Sequence, residues 1–566
     1  MITMKQTIFL GILFFALAFS ANSQQRAYYY EVKLLDKQFS TFSIAEPAKF
    51  LSQKSVERRL IQQIPVNETD LPVSPSYLNQ LKDAGAEVVY KSKWLNLVII
   101  KVDRPEVAMR ISKKPFIRHM QAADHFFTQN SRNSGKPYFD NEVIEKPAPR
   151  IKGHSYKSQA AYNYGASLNQ ARMINIDQLH ALNFTGNGIT IGVIDAGYNS
   201  VDVMQAFDSL RIHGQILGTR DFVQPGNNVY HTGISTHGTM VLSTMGGNLP
   251  GQLIGTAPKA SYWLLRSEDA VSEYIMEEYY WVNAAEFADS VGVDIINSSL
   301  GYSTFDNPAE NHTYSDMDGN TTVVTIGADM AAAKGILVVN SAGNSGGNAW
   351  QYITAPADGD SVLTVGAVDP AGVYAYFSSK GPTADGRIKP DVTAQGQQTI
   401  VATIPSGVAG GSGTSFSSPI IAGAAACLWQ ANPTFTNMEL INAIRMSASQ
   451  SSAPDNLKGW GIPDFVQANS LLTQSVIHEQ KAFHELKTFP NPFTSRISLE
   501  VTANYPIILD IRLINSNGKV VSSLIGVEIA KGKNMVALNN LDSFPSGIYM
   551  LQVSDGYAIT TKKVIK

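Results

Sequence analysis

Four short apolar runs set the pattern in the middle of the chain, and each closes on polar residues or glycine. They are Gly188 to Asp195, Val293 to Gly301, Gly335 to Asn344 and Ser361 to Val368. Near-continuous β-branched runs of this kind suit strands buried on both faces of a parallel sheet. Helical patterns lie between them. Glu273 to Ser290 carries Tyr274, Glu277, Trp281, Ala284, Ala285 and Ala288 at three- and four-residue spacing, and Ala328 to Lys334 leads into the third run. The alternation predicts an α/β fold with a doubly wound, mostly parallel sheet. Reactive groups in such folds belong at the carboxyl ends of strands, where Asp195 and Asn344 stand.

The flanks are patterned differently. Residues 26–125 predict one α+β unit, with strands at Tyr28 to Leu35 and Val98 to Val102 and a helix at Ser76 to Ala84. Phe127 to Ser158 is rich in Asn, Ser, Pro, Gly and Lys, which predicts an exposed linker open to proteolysis. After Phe489-Pro-Asn-Pro-Phe493 come strand-like segments at Ile507 to Ile514, Lys519 to Ile525, Met535 to Leu538, Ile548 to Val553 and Ile559 to Val564. They predict a small β-sandwich. At the other end, Lys5, the apolar run Ile8 to Phe19 and Ala21-Asn22-Ser23 form a secretory signal peptide, too short for a stable membrane span. The expected layout is a signal peptide at 1–23, an α+β domain at 24–126, a linker at 127–160, the α/β domain at 161–475 and the sandwich at 488–566.

Charge sharpens this division. The 566 residues hold 44 Lys+Arg and 47 Asp+Glu, which gives no global case for a nucleic-acid partner. By block, residues 24–150 carry a net +6, residues 151–475 a net −13 and residues 476–566 a net +3. A basic N-terminal unit beside an acidic middle one could associate electrostatically; ordinary solvated surface is the plainer alternative. The single cysteine, Cys427, excludes an intramolecular disulfide and any multi-cysteine metal site. It sits in a small apolar stretch and is expected to be a buried core thiol.

Four polar residues stand out for chemistry. Asp195 ends a buried strand, where its charge needs a partner; a turn or cap is the plainer role. His237, in Ser-Thr-His-Gly-Thr, begins an apparent helix, and Gly238 allows another segment to come close. Ser415, in Gly413-Thr-Ser-Phe-Ser-Ser-Pro419, follows a glycine turn and opens a helix rich in small residues, with Pro419 expected near its first turn. A hydroxyl there sits in a field that favours developing negative charge; capping is the plainer role. Asn344, in Ser-Ala-Gly-Asn, could donate its amide to an oxyanion or merely make a turn. Together they supply a nucleophile, a base, a carboxylate to orient the base and an oxyanion donor.

With these contexts and the order Asp, His, Ser, the chain resembles the subtilisin-like serine peptidases over about residues 170–475. The resemblance implies Asp195 as orienter, His237 as general base then acid, Ser415 as nucleophile, and an oxyanion hole from the Asn344 side chain and the Ser415 N–H. It implies that Ser299-Leu300-Gly301 pairs with the substrate backbone, and that Ala342-Gly343 helps line the pocket before the scissile bond. One departure is Ala196, where the family usually has Ser or Thr. No cofactor is required for this chemistry. A structural calcium is common in the family, and Asp316, Asp318 and Asn320 are the candidate ligands here; a plain turn is the alternative.

By position and size, the N-terminal unit resembles the family's propeptide. The Asp70-Leu-Pro-Val-Ser74 and Ser92-Lys-Trp-Leu-Asn96 segments are similar to those of exported bacterial relatives. The C-terminal unit resembles the sorting domain of the type IX secretion system, which implies a Bacteroidetes-type host and a secreted or cell-surface protein. A carbohydrate- or surface-binding sandwich is the alternative for that unit. The function implied is a secreted serine endopeptidase, made as a zymogen, that hydrolyses peptide bonds through an acyl-enzyme. Its partners would be protein or peptide substrates, its own propeptide and the type IX machinery, with no nucleic acid and no membrane span. The rivals are a non-catalytic adhesin or scaffold that retains the fold, and a processing protease of narrow specificity.

Overall fold

The structure, a computed structural model, describes residues 27–123, 126, 136, 142–146, 162–479, 483–515, 519–555 and 559–566. The expected signal peptide and most of the expected linker lie outside the described residues. In the N-terminal unit, β1 (Tyr28–Leu34), β2 (Glu87–Ser92), β3 (Leu97–Val102) and β4 (Ile117–Ala122) form an antiparallel sheet in the order β2-β3-β1-β4. Alternation decides which residue faces where. Val98, Ile100 and Val102 pack on Tyr77 and Leu81 of the helix Pro75–Asp83 and on Val107 and Ile111 of the helix Pro105–Ile111. Leu97 and Ile99 point the other way, onto Met276 and Tyr279 of the middle domain. The run Leu-Val-Ile-Ile is continuous because both faces of this sheet are covered.

The linker contributes β5 (Val143–Glu145). The middle domain then lays down β6 (Thr190–Asp195), β7 (Ile216–Asp221), the short pair β8 (Asn248–Leu249) and β9 (Leu253–Ile254), β10 (Ser261–Arg266), β11 (Ile295–Ser298), β12 (Leu337–Ser341), β13 (Leu363–Val368) and β14 (Val392–Gln395). Seven of these pair in parallel in the order β14-β13-β12-β11-β6-β10-β7. One face, with Ile191, Val193, Leu264 and Val339, packs under the helices His237–Gly246 and Thr414–Ala431. The other, with Ile194, Leu265, Ile296 and Val338, packs under Met276–Val291 and Val323–Ala333. This is the doubly wound sheet that the apolar runs predict. Beside it, β15 (Thr399–Ala402) and β16 (Val408–Ser412) form an antiparallel sheet with β5. Strands β17 (Phe483–Phe489), β18 (Ile497–Ala503), β19 (Ile507–Asn515), β20 (Val520–Ile529), β21 (Gly532–Leu538), β22 (Ile548–Ser554) and β23 (Ile559–Ile565) form two antiparallel sheets, β17-β18-β21 and β20-β19-β22-β23, around one core that includes Leu499, Val501, Ile511, Leu513 and Leu551. No helix among the described residues is long and apolar enough to cross a membrane.

The two basic and acidic blocks do meet. Helix Met276–Val291 turns an acidic side to the N-terminal unit. Arg58 and Arg59 reach Asp289 at 2.6 and 2.9 Å, and Arg59 also donates to Asp70 at 2.8 Å, all four residues being buried. Arg58 Nε also donates to the carbonyl of Lys334, just past the end of the helix Val323–Ala333, at 3.1 Å, where a cation suits the helix dipole. Glu286 accepts the backbone N–H groups of Lys93 and Trp94 at 3.1 and 2.9 Å. The Ser-Lys-Trp-Leu-Asn segment is therefore an interface loop. Removing one partner of a buried ion pair strands the other, at about 3–5 kcal/mol. In the full chain carrying Ser415→Ala, Asp289→Ala is accordingly expected to lower the denaturation midpoint well below that of its parent; an unchanged midpoint would show that the arginines find other partners.

Candidate active site

The carboxyl edge of the parallel sheet collects the candidate residues. Asp195 is the last residue of β6 and is fully buried. Helix His237–Gly246 begins directly against it, and Gly238 is the reason it can. A Cβ on Gly238 would lie 2.5 Å from the Gly197 carbonyl oxygen, so any side chain would push His237 away. As placed, His237 Nδ1 lies 2.7 Å from Asp195 Oδ1, which also accepts the Ala196 N–H at 2.7 Å. The other carboxylate oxygen, Asp195 Oδ2, is buried and accepts no hydrogen bond among the described residues, and the Ala196 side chain has no hydroxyl to offer it.

Ser415 is the second residue of helix Thr414–Ala431 and is buried. Pro419 lies further in than expected, past the first turn of that helix. A proline there cannot donate to the carbonyl four residues back, which is that of Ser415. The Ser299 hydroxyl makes up the loss, donating to the Ser415 carbonyl at 3.0 Å. The pair is reciprocal, since Ser415 Oγ lies 3.5 Å from the Ser299 carbonyl. Ser299, Leu300 and Gly301 follow the end of β11. Asn340 Nδ2 donates to the Leu300 carbonyl at 3.1 Å, and the Gly343 N–H donates to Thr414 Oγ1 at 3.2 Å. Ala342 and Gly343 follow the end of β12.

Asn344 is oriented by its own carbonyl. Its Oδ1 accepts both the N–H and the hydroxyl of Thr414, at 2.8 and 3.0 Å. The amide nitrogen must then point into the site, as an oxyanion donor would. It meets Glu142 Oε1 at 3.4 Å.

Glu142 is the residue of the site that the sequence does not reveal. It stands in the stretch expected to be an exposed linker, yet its carboxylate faces His237 Nε2 at 3.2 Å and shares Asn344. The next three residues, Val143 to Glu145, pair antiparallel with Gly410 to Ser412 as β5. Gly413 makes room, since a Cβ there would lie 2.8 Å from Glu142 Oε1. The expectation of exposure holds for Val143 to Lys146, which stay exposed although β5 pairs with β16, and fails at Glu142, which is half-buried against the site, and at Lys136, which is buried. An acidic residue in a polar stretch carries no local signal of this, because the carboxylate finds its partners only in three dimensions.

The electrostatics follow. Burial pushes the His237 imidazole down, but the Asp195 and Glu142 carboxylates outweigh it and hold the group up to about 10. Burial in turn raises the Asp195 carboxyl, against the pull of His237. With Glu142 in place the imidazole is cationic at neutral pH, and a cation cannot accept the Ser415 proton. The remaining candidates sort simply. Asp318 accepts from the N–H groups of Asn320 and Thr321 at 2.8 and 2.9 Å, and Asp316 from the Thr313 N–H at 2.6 Å. These bonds close turns, and the two carboxylates serve separate ones. Cys427 is buried and donates to the Thr256 carbonyl at 3.2 Å, a core thiol as expected.

Comparison with known proteins places the chain in a family. Residues 186–461 match the Subtilase family, residues 29–137 the Peptidase S8 propeptide domain of Bacteroidota, and residues 487–566 the Secretion system C-terminal sorting domain. Subtilisin E of Bacillus subtilis is 31% identical over 300 residues, 52% of this chain and 68% of its own length. Subtilisin of Bacillus pumilus is 32% identical over 280 residues, 49% of this chain and 89% of its own. A crystal structure of MycP1 with its N-terminal propeptide removed overlaps 53% of this chain and 96% of that one, at 24% identity and a TM-score of 0.42. The chain belongs to the subtilase family of serine peptidases, with a propeptide domain before the peptidase domain and a sorting domain for export after it.

The pairing of His237 with Glu142 is fully present below the ordinary imidazole range near 6.5 and is lost as pH rises through about 10. In the full chain carrying Ser415→Ala, nitrogen NMR should therefore find His237 still protonated at a mildly alkaline pH. Glu142→Gln should lower its midpoint by about one unit or more. Equal midpoints in the two proteins would show that Glu142 does not hold the proton.

Proposed function

We propose that Asp195, His237 and Ser415 form the catalytic triad of a secreted serine endopeptidase, with the Asn344 amide and the Ser415 N–H as oxyanion hole. The observation that carries the proposal is the 2.7 Å contact of His237 Nδ1 with Asp195 at the mouth of the buried sheet, beside a serine that opens a helix. Once Glu142 leaves, His237 Nε2 is neutral and can take the Ser415 proton as the hydroxyl oxygen attacks a peptide carbonyl carbon. The oxyanion that forms lies where the Glu142 carboxylate lay, against Asn344 Nδ2. His237 then gives its proton to the departing amine. A water, deprotonated by the same imidazole, attacks the acyl-enzyme and frees Ser415. Ser299 to Gly301 would pair with the substrate backbone, with Ala342 and Gly343 beside the residue before the scissile bond.

On this reading the N-terminal domain and the segment Glu142 to Lys146 keep the enzyme latent until the linker is cut. The C-terminal sandwich would carry it through a type IX secretion system, to be released or held at the cell surface. The likeness of residues 487–566 to a sorting domain supports this over a carbohydrate-binding role.

Two outcomes check the assignment. Wild-type protein expressed from residue 24 should shed its N-terminal unit, digest casein and take a fluorophosphonate label on Ser415. Ser415→Ala should do none of these, and an unlabelled but matured wild type would refute the triad. In subtilisin itself the loss of the oxyanion asparagine costs about 10²–10³ in kcat. The same order is expected of Asn344→Ala, with KM little changed; a loss confined to KM would move Asn344 from the transition state to ground-state binding.

A further inference from the structure

A second charged site lies away from the triad. Glu268, Glu273 and Glu277 are buried, and one carboxylate oxygen from each lies within 4.8 Å of the others. Into this cluster comes a lysine from another part of the chain. Lys136, of the linker, is 3% exposed. Its ammonium group bonds to Glu268, lies 2.8 Å from Glu277 Oε2 and lies 3.3 Å from Glu273 Oε2. The pocket is built independently of its occupant. Glu277 accepts the N–H groups of Asp269 and Tyr274 at 2.7 and 3.1 Å, and the Tyr302 hydroxyl donates to Glu268. Glu273 Oε2 is buried and accepts no hydrogen bond among the described residues; only the lysine charge faces it. Burial, with mutual repulsion behind it, raises the Glu273 and Glu277 carboxyls, and a cation relieves that repulsion.

Its place in the fold gives this pocket a meaning. Tyr302 directly follows Ser299-Leu300-Gly301, so the pocket adjoins the proposed substrate-pairing strand. Lys136 precedes Glu142 by six residues, a span of about 20 Å when extended. Glu142 faces the base, and β5 runs on beyond the nucleophile. Lys136 thus stands in the acidic pocket and Glu142 to Glu145 at the catalytic centre and beside β16, the places that two parts of one bound peptide would take. We infer that Glu268, Glu273 and Glu277 form a substrate subsite for a lysine or arginine side chain, about four to six residues before the scissile bond, and that Lys136 is its resident occupant in the zymogen. This rests on the peptidase reading and adds a specificity to it.

The test uses matured wild-type enzyme and a set of internally quenched peptides in which each residue before the cleaved bond is in turn lysine, arginine or norleucine. Lysine and arginine should both raise kcat/KM by about tenfold at one upstream position, the worth of one charge-assisted contact. Glu273→Gln should shrink that ratio towards one. No basic preference at any position in the wild type overturns the inference, even if the variant fails to fold. So does calcium that raises the Tm of the mature wild type but not of Glu273→Gln, which would make the cluster a metal site. Absence of fluorophosphonate label on the mature protein would instead bring down the peptidase reading, so the two failures are distinct.

Discussion

A parallel sheet covered on both faces leaves almost no place for polar chemistry except the ends of its strands. That constraint organises this protein. Seven strands are sealed between two pairs of helices, so the polar residues of the candidate site are gathered at the carboxyl edge. Asp195, Ser299 and Asn344 stand at or just beyond three strand ends, and two helices bring His237 and Ser415 to the same edge. Burial then makes each of these groups expensive unless paired. The pairings follow: Asp195 with His237, the Ser415 carbonyl with Ser299, Asn344 with Thr414. The site is a set of local solutions to one desolvation problem.

The same logic governs the contact between the N-terminal and middle units. Helix Met276–Val291 presents Glu277, Glu286 and Asp289 away from the sheet, and each is buried by a partner from the N-terminal side. Arg58 and Arg59 answer Asp289, the Lys93 and Trp94 amides answer Glu286, and Lys136 answers Glu277. The block charges of +6 and −13 therefore describe a real interface. Buried carboxylates left without partners are unstable neighbours, so release of the N-terminal unit must be accompanied by hydration of these groups or by a new cationic occupant.

Glu142 engages both His237 and Asn344 while His237 stays paired with Asp195. Its carboxylate accepts from the Asn344 amide and, together with Asp195, holds the His237 imidazole up in its protonated form. In the proposed mechanism the oxyanion donor is thereby given a permanent negative charge, and the base is held protonated by the same contact. Strand pairing of β5 with β16 holds the carboxylate in place.

Much of this was legible along the chain. The α/β alternation, the His237 and Ser415 helix starts, the strand ends at Asp195 and Asn344, and the sandwich at the C-terminus all follow from periodicity and local composition, because neighbours in sequence determine them. Pro419 lies deeper in its helix than local sequence suggests, because the helix already begins at Thr414. What only the tertiary structure decided were the partners of residues distant in sequence. Glu142 and Lys136 lie in a polar stretch that reads as linker, and nothing along the chain brings that lysine together with Glu268, Glu273 and Glu277. Charge on a side chain is visible in sequence, but the sign of its contribution depends on what surrounds it after burial, and that is a property of the fold.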